Sequence, residues 1–444
     1  AALLPKGWTI PVIPELDDLT VGGLVAGVGI ETSSHKYGLF QHCCLGFEVV
    51  LADGSLVNCS ATENTDLFYS IPWSHGTLGF VVSVELQMIR ARNYVDLTYL
   101  PYHNKAEAIE EFAYQSKEAK YDFVECLAYS EQEYVVMLGN LTDTKHIEGA
   151  VFNPIGRWYS EWFYKHVEKF LRREERAGAN NRSKNYNKND HKYQPVPTSS
   201  SPLVHKVDRE IIPLRHYYHR HSRSLFWEMQ DIVPFGNNVV FRYLLGWMMP
   251  PAPALLKRTQ TEQLRKLYEL HHMVQDMLVP MSKLSGCLDV FHEEAAIYPL
   301  WLCPFKIPSN AQRPDTGFGT LPTINSASPH NTRNRKSHAN EVTKDRGFIH
   351  GASAGQGEEL FVDVGAYGNP VVPHYEARAS HRKIEEYVRS VQGYQMMYAD
   401  SYMTKEEFRE MFDHSLYDKM RNALPLCTQA FPEVYDKVSK AARI

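Results

Sequence analysis

The sequence predicts an α+β fold, and three observations carry that prediction. Residues 19–38 hold five glycines between small apolar residues, and an apolar segment then runs into an Asp53-Gly54 turn. Residues 80–89 alternate with a period of two, which is typical of a β-strand. Farther along, strand-like and helix-like segments follow one another irregularly, which favours an α+β arrangement over a regular βα repeat.

The glycine-rich segment is the most informative part of the chain. Glycine allows the backbone to approach a ligand closely, and bare N–H groups in such a segment bind anions. We therefore predict a loop around a phosphate-bearing ligand, followed by a β-hairpin. No lysine follows at Walker A spacing, and Thr32 stands where a Rossmann fingerprint needs its third glycine. The spacing alone fits a ligand-free glycine-rich turn equally well.

Composition excludes several classes of protein. The chain has 444 residues, 43% hydrophobic and 22% charged, which is ordinary for a globular protein of two or three domains. The net charge of −5 gives no basic face for a nucleic acid. Seven scattered cysteines without a C-x-x-C pair argue against a disulfide framework and a zinc site, and favour reduced thiols facing the cytosol.

The sequence predicts neither a transmembrane helix nor a signal peptide. The longest uncharged stretch, 243–256, has 14 residues and three prolines, whereas a membrane span needs roughly 20 apolar residues. Leu3 and Leu4 are followed at once by Pro5 and Lys6. Within the stretch, residues 247–249 (Trp-Met-Met) suit either a membrane surface or a loop packed on the core, and we favour the packed loop.

Helix and strand signals continue through the rest of the chain. A helix is predicted over 105–119 and a strand over 134–138. Thr259 and Glu262 have capping-box spacing, and an apolar stripe follows until Pro280. The stripe comprises Leu264, Leu267, Leu270, Val274 and Met277.

Two further helices are predicted near the end. The first carries Ile384, Tyr387, Val388 and Val391 on one face, stops at Gly393, and precedes a strand over 394–399. Thr404 and Glu407 open the second helix. In contrast, residues 176–208 and 308–358 are polar with few large aliphatic side chains, so we predict two disordered inserts there.

Several residues are candidates for chemistry. In 215–221 (Arg-His-Tyr-Tyr-His-Arg-His), the candidate acids are Tyr218 and His219, and the candidate phosphate clamps are Arg215 and Arg220. The alternative for this segment is a solvated basic edge with Tyr217 in the core. A second set alternates along one predicted strand, and two histidines flank the glycine-rich segment. These residues are Tyr398, Asp400 and Tyr402, and His35 and His42.

The order of the pieces resembles a known family. Thr20-Val-Gly-Gly, then 48–54, then 76–82 is similar to the second half of the FAD-binding domain of vanillyl-alcohol oxidase (PCMH-type) flavoproteins. Much longer strings resemble the Δ24-sterol reductases and extend over nearly the whole chain outside the two polar inserts. These strings are 212–238, 275–281, 298–305, 362–368, 398–403 and 431–443.

The resemblance implies an architecture and a set of flavin contacts. Residues 1–90 would form the C-terminal part of the FAD-binding domain, 91–430 an α+β cap or substrate domain, and 431–444 a C-terminal segment. Gly76, Gly79 and Phe80 are secondary flavin contacts. The main FAD contacts are expected at Thr20, Val21, Gly22, Gly23, Leu24, Val25, Ala26, Gly27, Val28, Gly29, Ile30, Glu31 and Thr32.

The resemblance also implies an activity. Family members reduce the C24=C25 double bond of a sterol side chain, as in the conversion of desmosterol to cholesterol, with electrons from NADPH passed through FAD. No catalytic residue is assigned. The family implies an endoplasmic reticulum membrane location facing the cytosol, through an N-terminal anchor. This chain begins inside the expected FAD domain, so we expect it to lack that anchor and the first FAD subdomain, which leaves FAD retention by this chain alone open.

Two other functions compete with the reductase hypothesis. One is a flavin-dependent oxidase of the same fold that acts on an alcohol, sugar or lactone. The other is a non-catalytic protein that keeps the fold. The long C-terminal strings argue against the oxidase, whereas the two polar inserts are compatible with the non-catalytic protein.

Overall fold

The computed structural model describes residues 2–16, 19–172, 208–249, 271–307 and 359–440. The predicted inserts 176–208 and 308–358 lie outside these ranges, except for Asp208, which begins a strand. The capping pair Thr259 and Glu262, and the first three leucines of the apolar stripe, also lie outside them.

Strands and helices are mixed along the described part of the chain, which confirms the α+β prediction. The strands are β1 Trp8–Thr9, β2 Cys44–Val50, β3 Leu56–Ser60, β4 Phe80–Leu86, β5 Ile89–Arg90, β6 Tyr94–Tyr102, β7 Phe123–Ala128, β8 Tyr134–Thr142, β9 Val151–Phe152, β10 Asp208–Pro213, β11 Met273–Pro280, β12 Leu300–Ile307, β13 Glu359–Gly368 and β14 Tyr394–Gln395. The α-helices cover Val21–Ala26, Ser34–Tyr37, Thr65–Ser70, Lys105–Glu118, 163–172, Leu214–Tyr218, Met229–Ile232, Val239–Leu245, Leu284–Glu294, Ala377–Ser390, Lys405–Met411, Ser415–Ala423, Cys427–Ala430 and Val434–Val438. Short 3₁₀ turns cover Leu4–Lys6, Phe40–Cys43, Gly246–Met248 and Met281–Lys283.

The first sheet is a small antiparallel one with the order β3-β2-β4. Its β2–β3 hairpin closes at the predicted turn, where Gly54 has a φ of 83°. The strand predicted over 80–89 forms as β4 over Phe80–Leu86. Phe80 is 64% exposed and Val82 57% exposed, so one face of this edge strand is largely uncovered at its start.

The second sheet has nine strands within the described ranges, in the order β14-β11-β13-β12-β7-β8-β6-β10-β9. Neighbours are antiparallel apart from β9 and β10. The register pairs Asp276 with Gly365, and Gly365 with Trp301, so these three residues share one face. The chain after the glycine-rich segment packs on this sheet, since the Val124 N–H donates to the Thr32 carbonyl oxygen over 2.9 Å.

Local signals placed several helices correctly. The Lys105–Glu118 helix confirms the prediction over 105–119, and the capping box of Thr404 and Glu407 is present in the structure. Ile384 and Val388 are buried on the Ala377–Ser390 helix as expected. The strand predicted over 394–399 forms only at Tyr394–Gln395.

The helix predicted to run until Pro280 is wrong at its C-terminal end. Val274 and Met277 lie in β11, which pairs with β13 on one side and with β14 on the other. A short apolar run fits a buried strand as well as a helix, and the hydrogen bonds offered by two flanking strands decide the outcome. The spacing of the stripe carried no information about those distant partners.

The division into domains at residues 90 and 430 stays a prediction. The small sheet lies within the first 90 residues, and the nine-stranded sheet begins at Tyr94. The C-terminal end returns to the first part of the chain, where Lys437 Nζ donates to the His75 carbonyl oxygen over 2.5 Å. In the part of the chain that is described, no helix is long and apolar enough to cross a bilayer.

Candidate active site

A cavity of about 1070 Å³ lies between the glycine-rich segment and the nine-stranded sheet. Nine of the thirteen predicted FAD contacts line it, whereas Val21, Val25, Glu31 and Thr32 do not. The opposite wall is formed by side chains that no motif had singled out as a set. They are Val274, Asp276, Trp301 and Tyr367 from the sheet, with Leu225, Phe226 and Tyr398 beside them.

The glycine-rich wall is more ordered than the predicted loop. Residues Val21–Ala26 form a short helix, and Thr20 caps it by accepting a hydrogen bond from the Gly23 N–H over 3.1 Å. The cap and the burial of Leu24 and Val25 offset the poor helix propensity of the two glycines. The expectation of an irregular loop is therefore wrong for the first half of the segment.

Three glycines on this wall, Gly27, Gly29 and Gly79, leave little or no space for a side chain. A Cβ at Gly27 would lie 3.0 Å from the Gly23 carbonyl oxygen and 3.4 Å from the His75 ring. A Cβ at Gly29 would lie 2.7 Å from Leu24. Gly79, which also lines the cavity, would place a Cβ 2.8 Å from the Val50 carbonyl oxygen. Side chains are thus excluded and bare backbone faces the cavity, a surface that suits close approach by a large cofactor.

Beside the cavity, a buried charged cluster joins distant segments of the chain. Arg220 donates to Glu125 through Nε (2.8 Å) and Nη2 (2.9 Å), and Nη2 also donates to Glu31 Oε1 over 3.1 Å. Glu15 Oε1 lies 3.8 Å from the same guanidinium group. Trp301 Nε1 donates to Glu125 Oε2 over 3.0 Å. One cation therefore serves three buried carboxyl groups.

The single guanidinium cannot keep all three carboxyl groups ionised. Burial would raise the pKa of Glu125, but the charge of Arg220 lowers it to about 2. Burial raises the pKa of Glu31, and raises that of Glu15 well above its ordinary value, with only partial compensation from Arg220. Glu125 is therefore the firmly ionised partner of Arg220, and Glu15 is the group that most readily holds a proton.

This cluster corrects the interpretation of segment 215–221. Arg220 is 4% exposed and bound to carboxylates, so it is neither a solvated basic edge nor a clamp for a phosphate. Tyr217 lies in the core as the alternative proposed. Tyr218 is buried, with its hydroxyl 3.2 Å from Thr9 Oγ1. Neither Tyr218 nor His219 lines the cavity, so neither can act as an acid in it. Arg215 is exposed, away from the cavity.

The remaining candidate residues do not lie together in the structure. The ring nitrogens of His35 lie 2.9 Å from the Thr32 carbonyl oxygen and 3.0 Å from that of Tyr121, so this histidine joins two segments. His42 Nδ1 accepts from the Leu39 N–H. Asp400 pairs with Lys440 over 2.6 Å and Tyr402 packs beside His381, which leaves Tyr398 as the one member of its set on the cavity wall.

Across the cavity from the glycines, a buried carboxyl group meets two phenols. Tyr367 donates a hydrogen bond to Asp276 Oδ1, and Asp276 is fully buried. Asp276 Oδ2 has no hydrogen-bond partner in the described residues. Burial raises the pKa of Asp276 to about 6, although hydrogen bonds with Tyr367 and Tyr398 oppose the rise. The neighbouring Asp363 is also buried, and its pKa is raised well above the ordinary value by burial and by Asp276.

Sequence reasoning missed this group although one signal was present. Asp276 is an ionisable residue inside the apolar run 275–281, and such a residue in a buried strand needs a special reason. Tyr367 and Trp301 carry no local signal, because only the register of β11, β13 and β12 brings them beside Asp276.

Comparisons with known proteins decide the family. Residues 1–60 match the FAD binding domain family. The chain is 49% identical over 443 residues to the Delta(24)-sterol reductase of Rattus norvegicus, covering 100% of this chain and 72% of the relative. The chain belongs to the Δ24-sterol reductase family. The family reaches across kingdoms, with 48% identity to the Homo sapiens reductase and 34% to that of Arabidopsis thaliana, covering 72% and 71% of those proteins.

The FAD-binding match includes all thirteen residues from Thr20 to Thr32. It therefore places the part of the cavity wall from Thr20 to Ile30 inside an FAD-binding domain. The reductase resemblance inferred from the long strings is confirmed by the identities to the Δ24-sterol reductases. The individual flavin contacts, including Gly76, Gly79 and Phe80, stay predictions.

Proposed function

We propose that this protein reduces the C24=C25 double bond of a sterol side chain, with FAD as the cofactor and NADPH as the source of electrons. The observation that carries the proposal is the cavity itself. One wall includes residues of the FAD-binding match, and the facing wall is an apolar, aromatic surface that contains the buried carboxyl group of Asp276. A sterol side chain is apolar, so it matches that second wall.

The residues present fit a bound flavin. The segment from Thr20 to Ile30 offers bare backbone, and Gly76, Gly79 and Phe80 extend the same wall. The volume of about 1070 Å³ lies at the upper end of the range for ligand pockets, which leaves space for a large cofactor and part of a substrate. When bound and reduced, FAD supplies the hydride for this chemistry.

The protein must supply the proton and must stabilise the positive charge that protonation creates. An isolated alkene is a poor hydride acceptor, so an acid must protonate its CH carbon and leave positive charge on the carbon that bears two methyl groups. Aromatic faces stabilise such a charge. Phe226 lies on the cavity wall with its ring centroid 5.3 Å from that of Trp301 and 4.7 Å from that of Tyr367. These three rings are suited to that role.

A bulky residue in the glycine wall is expected to remove the flavin. Gly27→Val places carbon atoms where the Gly23 carbonyl oxygen and the His75 ring already lie, so we expect bound flavin to fall at least tenfold. Gly54→Asn is the matched control, because Gly54 lies in an exposed turn and asparagine tolerates a positive φ. The flavin-to-protein ratio of the purified full-length variants gives the answer. Equal ratios in the two variants would remove this segment from the flavin site.

We further propose that the protein works at the endoplasmic reticulum membrane, facing the cytosol. Beyond the N-terminal anchor implied by the resemblance, the structure offers an apolar surface next to the cavity. Trp247 is 66% and Met248 60% exposed, so the favoured loop packed on the core is wrong for these two residues. Ile232 belongs both to this surface and to the cavity wall. The surface comprises Ile232, Phe235, Val239, Val240, Tyr243, Leu244, Leu245, Trp247 and Met248.

Such a surface would let a sterol pass from a bilayer to the cavity. Flotation with liposomes tests it on the chain described here. Leu244→Glu with Trp247→Glu should lower the floating fraction, whereas Tyr114→Glu, an exposed aromatic on another helix, should not. Equal flotation of all three proteins would contradict a membrane role for this surface.

The reaction is tested by a sterol assay. The full-length protein is expressed in cells without Δ24-reductase activity, desmosterol is fed, and sterols are measured by mass spectrometry. The proposal predicts a product heavier by two hydrogens and dependent on NADPH in lysates. Oxygen consumption without sterol reduction would favour the flavin oxidase, and absence of both flavin and product would favour a non-catalytic protein.

A further inference from the structure

We propose that Asp276 and Tyr367 form the proton-donating pair of the reaction, with Tyr367 presenting the proton to the alkene and Asp276 resupplying it. This inference rests on the proposed function and deepens it, because it names the acid. Both residues line the cavity on the wall that faces the glycine-rich segment. Both come from adjacent interior strands near one edge of the nine-stranded sheet, a rigid element suited to precise placement of a reacting group.

The first argument is geometric. Val274 and Asp276 of β11 lie opposite Tyr367 and Gly365 of β13, so the Tyr367 hydroxyl is close to the carboxyl group from the neighbouring strand. A Cβ at position 365 would lie 2.6 Å from the Tyr367 hydroxyl oxygen and 3.0 Å from Asp276 Oδ1. Only glycine at 365 therefore leaves space for this hydrogen bond. Asp276 itself is fully buried, whereas Tyr367 retains 7% exposure, so the phenol is the member that a substrate can touch.

The second argument concerns charge. Arg220 compensates Glu125, but no lysine, arginine or histidine is paired with Asp276 in the ranges that the structure describes. The groups that face Asp276 are Asp363 and Tyr367 from β13 and Tyr398 from the segment after β14. The more distant cavity wall adds Glu15, His75, Glu228 and Lys437. A carboxyl group among acids and phenols, away from water, keeps its proton at a pH at which an exposed one would lose it.

The third argument is that neither residue is sufficient alone. Burial raises the pKa of Tyr367 well above its ordinary value, which makes an isolated phenol a poor acid. Asp276, with a pKa of about 6, is a far stronger acid, but its side chain has no exposed surface although it borders the cavity. Joined through one hydrogen bond, the carboxyl group makes the phenol an effective donor.

The proton balance is complete. With Asp276 protonated, its carboxyl O–H donates to the Tyr367 oxygen across the contact that joins the two groups, and the Tyr367 O–H turns toward the cavity. The Tyr367 O–H bond then breaks as a C–H bond forms at the CH carbon of the alkene, and the Asp276 proton moves to the Tyr367 oxygen. A bound reduced flavin would supply the hydride that the tertiary carbon needs, which balances reduction of the alkene with oxidation of the flavin. Asp276 then regains a proton from water after the product leaves.

The decisive experiment isolates the half-reaction that needs the acid. Purified full-length holoenzyme is reduced with dithionite without oxygen and mixed with desmosterol, and the flavin absorbance reports reoxidation. We expect Asp276→Asn and Tyr367→Phe to slow reoxidation by roughly 10²–10⁴-fold, the usual contribution of general acid catalysis. Tyr99→Phe is the matched control, since Tyr99 is a buried tyrosine that donates to a carboxylate (Glu210 Oε2, 2.8 Å) on the same sheet outside the cavity.

The pH profile separates chemistry from structure. Reoxidation by the wild-type protein should fall as pH rises through the pKa of Asp276, which is about 6. Asp276→Asn should lose this limb. Asp276→Glu, which keeps a carboxyl group, should restore part of the rate and the limb if the asparagine variant binds flavin poorly.

Each outcome is informative. A wild-type reaction with Asp276→Asn or Tyr367→Phe within threefold of it would overturn this inference and leave the proposed function standing. A large loss in Tyr398→Phe without one in Tyr367→Phe would overturn the choice of phenol. No reoxidation of the wild type by desmosterol would overturn the proposed function, and this inference with it.

Discussion

Two buried acidic groups lie on the same face of the same sheet, and they differ in one component. Glu125 meets the guanidinium of Arg220 and the indole N–H of Trp301, whereas Asp276 meets phenols and a second carboxyl group. Glu125 therefore stays ionised, whereas Asp276 resists ionisation. A buried carboxylate that is paired with a cation stays charged and joins segments of the structure. A buried carboxyl group without a nearby cation can keep its proton and transfer it.

The largest effect should follow removal of the counter-charge. Arg220→Met leaves Glu15, Glu31 and Glu125 buried without a cation, so we expect a loss of about 3–5 kcal/mol in the free energy of unfolding. Arg209→Met is the control, because Arg209 pairs with one carboxylate, Asp96, and remains 36% exposed. We expect at most about 1 kcal/mol there. Urea unfolding measures both, and equal losses would contradict a structural role specific to the buried cluster.

The two carboxyl groups should respond to pH with opposite signs. The pKa of Asp276 in the folded protein is raised to about 6 from 3.8, so its contribution to stability is complete below pH 4 and is lost as pH rises through 6. That loss is roughly 3 kcal/mol, and Asp276→Asn should abolish it. The pKa of Glu125 is lowered to about 2 from 4.5, so its contribution is present above pH 4.5 and is lost as pH falls through 2.

Urea unfolding between pH 4 and 7 tests the part of this contrast that concerns Asp276. As pH rises over that interval, the free energy of unfolding of the wild type should fall. Asp276→Asn should not show this fall. Glu125→Gln should instead be destabilised at pH 7, because it removes the partner of Arg220. The same pH slope in the wild type and in Asp276→Asn would show that Asp276 does not titrate there.

The smallest effect should come from Trp301, which touches both regions. Trp301→Phe removes the N–H that donates to Glu125 but leaves Arg220 in place, so we expect a loss of roughly 2 kcal/mol in the free energy of unfolding. The pH limb of flavin reoxidation assigned to Asp276 should stay where it is. A shift of that limb in Trp301→Phe would mean that the two regions titrate together and are not separate.

The sequence predicted what depends on neighbours in the chain. The Asp53-Gly54 turn and the Thr404–Glu407 capping box are complete within a few residues, and both are present in the structure. The glycine-rich segment was found because its glycines lie within twenty residues of one another. Whatever depends on distant partners was missed: Arg220 finds Glu15, Glu31 and Glu125 in three separate segments.

The site around Asp276 was also missed because it depends on distant partners. The periodicity of the stripe that ends at Met277 predicted a helix, which would have placed Asp276 on a different surface. The structure makes a strand because β13 and β14 both pair with it, and that pairing brings Tyr367 and Asp276 together. No signal within a window of the sequence reports a register between strands that are about ninety residues apart.

The most direct test of the account is turnover of desmosterol in deuterated water. Tyr367 and Asp276 exchange their protons with solvent, so the proton that they deliver becomes deuterium. The account predicts a saturated product with deuterium at C24, the former CH carbon, located by NMR. A saturated product without deuterium at C24 would contradict proton donation by this pair, and absence of the product would contradict sterol reduction itself.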